Sequence, residues 1–228
     1  MTELWEGLVT AVKLIISFDL EVMQIAGRSL AISATSSAIA ALICLPLGAV
    51  IHFNNFPGKR TLINIVQTLF SLPTVAVGLF VFVLFSSAGP LGGLDIMFTP
   101  AVMVIAQVIL ISPLMLGLII SALSSIDKTI ADTAVSLGAS GFQMAVITLR
   151  EARFGVLAGL IMGFGRAISE VGLSLMVGGN IKGFTRTITT AISLETSKGD
   201  LELALALGII LILIALVINI GLNRIQQR

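Results

Sequence analysis

Residues 96–123 read IMFTPAVMVIAQVILISPLMLGLIISAL, and residues 124–151 continue SSIDKTIADTAVSLGASGFQMAVITLRE. The first stretch is apolar and long enough to cross a bilayer core, which takes about 20 residues. The second is a polar island with glycines and helix-forming signals, after which the chain becomes apolar again. Loops this long between two elements usually present a surface to something else. The pair of stretches predicts an all-α membrane protein with a structured loop between two spans.

Composition points to a polytopic membrane helix bundle. Of 228 residues, 57% are apolar and 11% are charged, far from the balance of a soluble domain. No stretch is long and polar enough for a separate soluble domain, so residues 1–228 are expected to form one transmembrane domain. The net charge of +1 gives no electrostatic support for a nucleic-acid partner. One histidine and one cysteine leave no plausible metal or haem site, so no metal and no cofactor are expected on this chain.

Five segments are long enough to span the membrane. Prolines at positions 46, 73 and 113 lie inside three of them and predict bends, which suit either a moving protein or fixed packing. The predicted spans are Ile25–Ile51, Leu62–Ser86, Ile96–Leu123, Phe154–Val177 and Leu203–Leu222.

The segment before the first span is shorter and more polar. Leu4, Leu8, Val12 and Ile15 recur at helical spacing among charged and hydroxyl residues. This pattern predicts an amphipathic helix at the membrane interface. A sixth, strained span is the alternative.

Basic residues in short loops predict the orientation. Applied to this chain, the rule places the first loop, the island and the C-terminus in the cytoplasm, and the N-terminus and residues 178–200 outside. The basic residues of the outer segment run against the rule and suggest another use for those charges. The cytoplasmic set is Lys59, Arg60, Lys128, Arg150, Arg153, Arg224 and Arg228, and the outer set is Lys182, Arg186 and Lys198.

The island carries the signals of two short helices. Asp127 is placed to cap a helix from about Lys128, and Gly138 suits the left-handed position that ends it. Ser140 and Gln143 then form a capping-box pattern at the start of a second helix. Phe142, Val146 and Leu149 share one face of that helix. Phe142 either fits a groove on a partner or packs back under the bundle, and periodicity alone favours the second.

Three elements of this island resemble the coupling loop of ABC-importer permeases: the triplet Asp132-Thr133-Ala134, Gly138 four residues later, and Ile147-Thr148-Leu149. The chain has Asp-Thr where that family has Glu-Ala, and Arg150 where it has proline. The resemblance implies a type I ABC importer permease-like fold, with residues 124–151 docking on an ATPase subunit. The coupling residues it implies are Asp132, Thr133, Ala134, Gly138, Ser140, Phe142, Ile147 and Leu149. No G-x-x-x-x-G-K-[ST] loop is present, so ATP hydrolysis is expected on a partner and not on this chain, which carries no catalytic residues.

The fourth span contains two full charges. Arg166 and Glu170 stand four residues apart and can pair, with Ser169 beside them. An unpaired charge in a span is costly, so these residues are expected either to line or gate a translocation path or to form a structural salt bridge.

Gly155, Gly159 and Gly163 in the same span repeat every fourth residue. This spacing permits close helix approach, within one chain or at a dimer seam. Five spans enclose little room for a path, so a homodimer is expected.

The outer segment combines hydroxyl, amide and guanidinium groups, which suit either a tetrahedral oxyanion or a docked binding protein. The candidate contacts are Asn180, Thr185, Arg186, Thr187, Thr189 and Thr190. The run GGNIKGFTRTITTAI at residues 178–192 resembles tungstate-type ABC permeases, relatives of the molybdate permeases. That resemblance implies an oxyanion importer of the prokaryotic plasma membrane, with two ATPase subunits and an extracytoplasmic tungstate-binding protein.

The sequence therefore predicts the permease of an ATP-driven oxyanion importer, with tungstate the first candidate and molybdate or another oxyanion the alternative. An ion-coupled carrier or a channel could also use Arg166 and Glu170. A hydrolase is disfavoured, because the chain has one histidine and no G-x-S-x-G motif.

Overall fold

The computed structural model describes residues 2–226, and these residues form helices and turns with no strand among them. The predicted all-α class is confirmed. Arg228, one of the basic residues used for orientation, lies outside the described residues. The helices are α1 (Thr2–Ile16), α2 (Leu20–Phe53), α3 (Lys59–Thr68), α4 (Thr74–Phe85), α5 (Pro100–Ser124), α6 (Lys128–Ser136), α7 (Gly141–Glu151), α8 (Arg153–Ile168), α9 (Gly172–Gly178), α10 (Ile188–Lys198) and α11 (Leu201–Gln226).

Among the described residues, three helices can span a membrane alone, and up to five spans result if each of two bent helix pairs is one span. Helices α2, α5 and α11 are each long and apolar enough to cross a bilayer alone. The second and fourth predicted spans are bent pairs: α3 with its 3-10 extension meets α4 at 98°, and α8 meets α9 at 59°. The predicted segments are therefore helical, but two of them are broken helices.

The three prolines act differently. Pro46 and Pro113 lie inside continuous helices. Pro73 instead ends one helix and begins the next, because a residue before proline is driven out of the helical region. Leu72 accordingly has φ −57° and ψ 127°. The bend predicted at Pro73 is a complete interruption.

Two compact units divide the described chain. The first comprises residues 2–36, 73–107 and 165–226. In it, α1 packs antiparallel along α11, with Gly7 facing Leu205 and the Thr10 hydroxyl donating to Glu202. At 15 residues α1 is shorter than the about 20 needed to span. The predicted N-terminal helix is thus present and packs on a spanning helix, whereas its placement at the membrane interface stays a prediction. The buried core beside it comprises Val22, Ile25, Ala26, Ile188, Ala191, Leu207 and Ile210.

The second unit comprises residues 37–72 and 108–164, and in it α8 packs closely against α5. A Cβ on Gly155 would lie 2.8 Å from the Ala122 Cβ, and one on Gly159 would lie 3.0 Å from the Leu118 Cβ. A Cβ on Gly163 would come within 2.3 Å of Met115. The repeated glycines therefore permit close helix packing within one chain. Of the two alternatives, packing within the chain or at a dimer seam, the structure supports the first.

Candidate functional site

The cytoplasmic loop folds as its capping signals predict. The Asp127 carboxylate accepts from the Thr129 N–H at 2.9 Å and starts α6. That backbone hydrogen bond, with a second from the Thr129 hydroxyl, lowers the pKa of Asp127. Gly138 has φ 84° just past the end of α6. The Ser140–Gln143 capping box is formed in both directions at the start of α7. Local hydrogen bonds therefore hold both helices in place.

Apolar side chains point outward from this loop. Leu137 is 84% exposed and Phe142 is 79% exposed. With Gly138, Val146 and Ile147 they line one shallow pocket. The expectation that Phe142 packs back under the bundle is wrong: the face carrying Phe142 and Val146 is open, while Thr148 and Ala134 fill the buried side. We call Leu137, Phe142, Val146 and Ile147 the loop patch. These exposed apolar groups leave the patch open to contact with another protein.

The remaining coupling residues lie around the patch. Asp132, Thr133 and Ser140 are exposed, Leu149 is half-buried, and Arg150 is exposed within the last turn of α7. Helix α7 runs on through Arg150 to Glu151, so arginine continues the helix at the position where the family has proline.

The intramembrane charges form the expected pair. Arg166 Nη1 lies 3.0 Å from Glu170 Oε2. The placement on one continuous helix is wrong, however, because α8 ends at Ile168 and Glu170 lies in the break before α9. There the other carboxylate oxygen of Glu170 accepts from the Leu173 N–H at 3.0 Å. Glu170 thus stabilises the start of α9 as well as pairing with Arg166.

Two carbonyls at the end of α8 and in the break after it accept hydrogen bonds from side chains far away along the chain. The Gln107 side chain donates to the Ala167 carbonyl at 3.2 Å, and its oxygen accepts from the Ser36 hydroxyl at 2.9 Å. The Thr189 hydroxyl donates to the Glu170 carbonyl at 2.9 Å. A helix break inside a membrane needs such partners, since unpaired backbone groups there are costly.

The two members of the ion pair differ in exposure. The Glu170 side chain is 3% exposed, whereas that of Arg166 is 37% exposed. Ser169 is also exposed and bonds only to backbone carbonyls of its own helix. Arg166 and Ser169 therefore present polar groups at a depth where lipid cannot solvate them.

The four outer threonines are buried and bonded within the chain. Thr187 and Thr190 form a capping box at the start of α10. Thr185 donates to the Gly178 carbonyl and accepts from the Ile181 N–H, and Thr189 bonds Glu170. In this conformation the hydroxyls hold the loop together. Their contact with an anion or a binding protein stays a prediction.

Charged side chains form the open part of the outer segment. The Glu21 carboxylate accepts from Lys182 Nζ at 2.8 Å and lies 3.9 Å from Arg186 Nη1. Arg186 also donates from Nε to the Asn180 side-chain oxygen at 3.3 Å. A pocket beside this cluster is lined by Gln24, Arg28, Lys182 and Arg186, with Asp19 and Glu21 at its edge.

Residues 44–228 match the family described as binding-protein-dependent transport system inner membrane component, and the chain belongs to that family. It is 40% identical over 222 residues to the tungstate uptake system permease protein TupB of Peptoclostridium acidaminophilum, covering 97% of each chain. It is 37% identical over 197 residues to TupB of Campylobacter jejuni, covering 86% of this chain and 82% of that one.

The fold also matches a solved bacterial alginate ABC transporter in complex with an alginate pentasaccharide-bound periplasmic protein. The TM-score is 0.74 at 20% identity, over 91% of this chain and 79% of that chain. The predicted class, an ABC-importer permease that crosses the inner membrane several times, is confirmed. The chain is a transport component.

Sequence reasoning missed three residues that the structure brings to these sites. Arg28 and Gln107 each lie inside a predicted apolar span, which is the same signal that singled out Arg166. Glu21 gave no such signal, because its partners Lys182 and Arg186 lie far away along the chain.

Proposed function

We propose that this chain is the membrane-spanning permease of an ATP-driven importer that carries tungstate from an extracytoplasmic binding protein into the cytoplasm. The observation that carries this proposal is the 40% identity to a tungstate uptake permease over 97% of both chains. A 31% identity to the molybdenum transport permease ModB of Haemophilus influenzae makes molybdate the second candidate substrate.

The loop patch is the proposed docking surface for the ATPase. Leu137, just after the end of α6, and Phe142, in the first turn of α7, expose large apolar groups on two short helices whose starts are both capped by side chains. A capped helix can transmit a displacement of the ATPase without unwinding at its end, and an exposed apolar side chain can bind in a groove on the partner. Two copies of the permease would dock two ATPase subunits. ATP binds and is hydrolysed there, so this chain needs no nucleotide site.

The exposed guanidinium of Arg166 supports a path shared between two copies. Arg166 is 13 residues beyond Arg153 on the continuous helix α8, which places it roughly 20 Å along the helix. A guanidinium that is 37% exposed at this depth needs water or a polar partner. A second copy facing it would enclose an aqueous path, with Arg166 and Ser169 on its wall and Glu170 behind them. An oxyanion on this path would meet the arginine as a charge-assisted donor.

Reconstitution tests this proposal. The permease, its ATPase and its binding protein are combined in proteoliposomes, and tungstate uptake is followed by metal analysis. We expect uptake only when all three proteins and internal ATP are present, and a cross-linked permease pair in the active complex. Uptake by the permease alone would refute the importer and support a carrier. Preferential uptake of molybdate in direct competition would reassign the substrate.

A further inference from the structure

The pocket at the predicted outer end of α2 contains an arginine, Arg28, that has no bonded partner among the described residues. Arg28 makes no hydrogen bond or ion pair with any residue in the described range 2–226, and its Nε is buried. It lies eight residues past Leu20, roughly 12 Å along α2. A guanidinium so placed is costly without an anion beside it.

The two acidic residues that line this pocket already bind other groups. The Asp19 carboxylate accepts from the Val22 N–H at 3.0 Å and caps the start of α2. Glu21 bonds Lys182 and lies near Arg186. Three cations therefore share this pocket with two carboxylates, and Arg28 carries the charge that neither carboxylate balances.

We infer that this pocket is an oxyanion-binding site on the permease itself, with Arg28 as its principal donor and Glu21 as an internal counter-ion that the oxyanion displaces. The inference rests on the proposed function. A guanidinium offers parallel N–H donors that match two oxygens of a tetrahedral anion, and Lys182 and Arg186 add charge. Gln24 contributes a neutral amide donor to the same wall.

Glu21 is suited to exchange because its side chain is 47% exposed, whereas Arg186 is only 13% exposed and is held by Asn180. When an oxyanion enters, Glu21 can turn to water while the basic residues keep their places. The site would receive an oxyanion from the binding protein before it reaches the path. It also explains why basic residues cluster in an outer segment, against the charge bias of membrane loops.

Equilibrium dialysis of tungstate against the permease–ATPase complex in nanodiscs, without binding protein, tests this site. We expect saturable binding that Arg28→Gln weakens at least tenfold. Glu21→Gln should tighten binding several-fold, because a neutral amide competes less well for the basic residues. Lys13→Gln is the matched control. It removes one positive charge, as Arg28→Gln does, from an exposed position on α1, and it should leave the affinity for tungstate unchanged.

Equal affinity of wild type and Arg28→Gln would overturn the site, and so would the absence of saturable binding. If Arg28→Gln fails to fold, Glu21→Gln decides, since unchanged affinity in that variant also overturns it. ATP-driven tungstate uptake by the same wild-type complex, reconstituted into proteoliposomes with its binding protein, keeps the two proposals separate. Uptake without saturable binding refutes only this pocket, whereas no uptake with all partners present refutes the proposed function.

Discussion

Truncating the loop patch should uncouple ATP hydrolysis from uptake without unfolding the permease. Phe142 and Leu137 are 79% and 84% exposed, so alanine at either position should change stability by no more than about 0.5 kcal/mol. Covering most of a phenylalanine in a complex removes roughly 150 Å² from water, worth about 4 kcal/mol by area. Only part of this burial free energy appears as binding free energy, because association also has unfavourable terms. We therefore expect Phe142→Ala to weaken binding of the ATPase by about 2 kcal/mol, or roughly 30-fold in affinity.

The assay measures ATPase binding to the permease in nanodiscs, and tungstate taken up per ATP hydrolysed in proteoliposomes. Leu137→Ala should act in the same direction as Phe142→Ala. Leu42→Ala is its control, because Leu42 is 74% exposed on α2 and loses the same atoms outside the loop. Unchanged ATPase affinity and unchanged uptake in both loop variants, with normal folded yield, would refute the assignment of the patch as the coupling surface.

Three further predictions, each with a comparison variant, test the local geometry. Gly138→Ala should destabilise the loop by about 1 kcal/mol, because Gly138 has a left-handed φ that alanine disfavours. Gly141→Ala is the control and should not destabilise it, since a Cβ has open space at both positions and only Gly138 has a positive φ. Hydrogen exchange of the loop backbone distinguishes the two variants. Thr189→Val should lose about 1–2 kcal/mol of thermal stability and slow uptake, with Thr189→Ser retaining both, because only the hydroxyl bonds the buried Glu170 carbonyl. Arg166→Ala should reduce folded yield by removing the charge that pairs with Glu170, a cost of about 1–3 kcal/mol, while Arg166→Ala combined with Glu170→Gln should recover yield but not transport.

Local signals in the sequence were enough to predict the cytoplasmic loop. Asp127, Gly138 and the Ser140–Gln143 box act between residues close together in sequence, so their pattern determines both helix starts and the break between them. What the pattern could not settle was which side of α7 faces outward. Phe142, Val146 and Leu149 share a face in any helix, but only the packing shows that Phe142 is exposed.

Long-range bonds account for what sequence reasoning missed in the membrane. The sequence from Gly163 to Gly172 predicts one charged helix, yet α8 stops at Ile168. The helix can end there because distant side chains donate hydrogen bonds to the carbonyls at the break. Gln107 and Thr189 lie 60 and 19 residues from the carbonyls they bond. The same applies to the outer threonines, whose residue types suit an anion but whose hydroxyls are used by the loop.

The position of Glu170 gives the helix break a physical role. Its carboxylate pairs with Arg166 and holds the first turn of α9, while its carbonyl is held by Thr189 at the start of α10. A shift of α10 therefore cannot leave all three bonds intact. Each such bond contributes only about 1–3 kcal/mol. The arrangement is therefore rigid at rest, and the free energy of docking or ATP binding is large enough to break one of these bonds. A carboxylate in an unbroken helix could pair with Arg166 equally well, but it would not connect the outer segment to the Arg166 guanidinium.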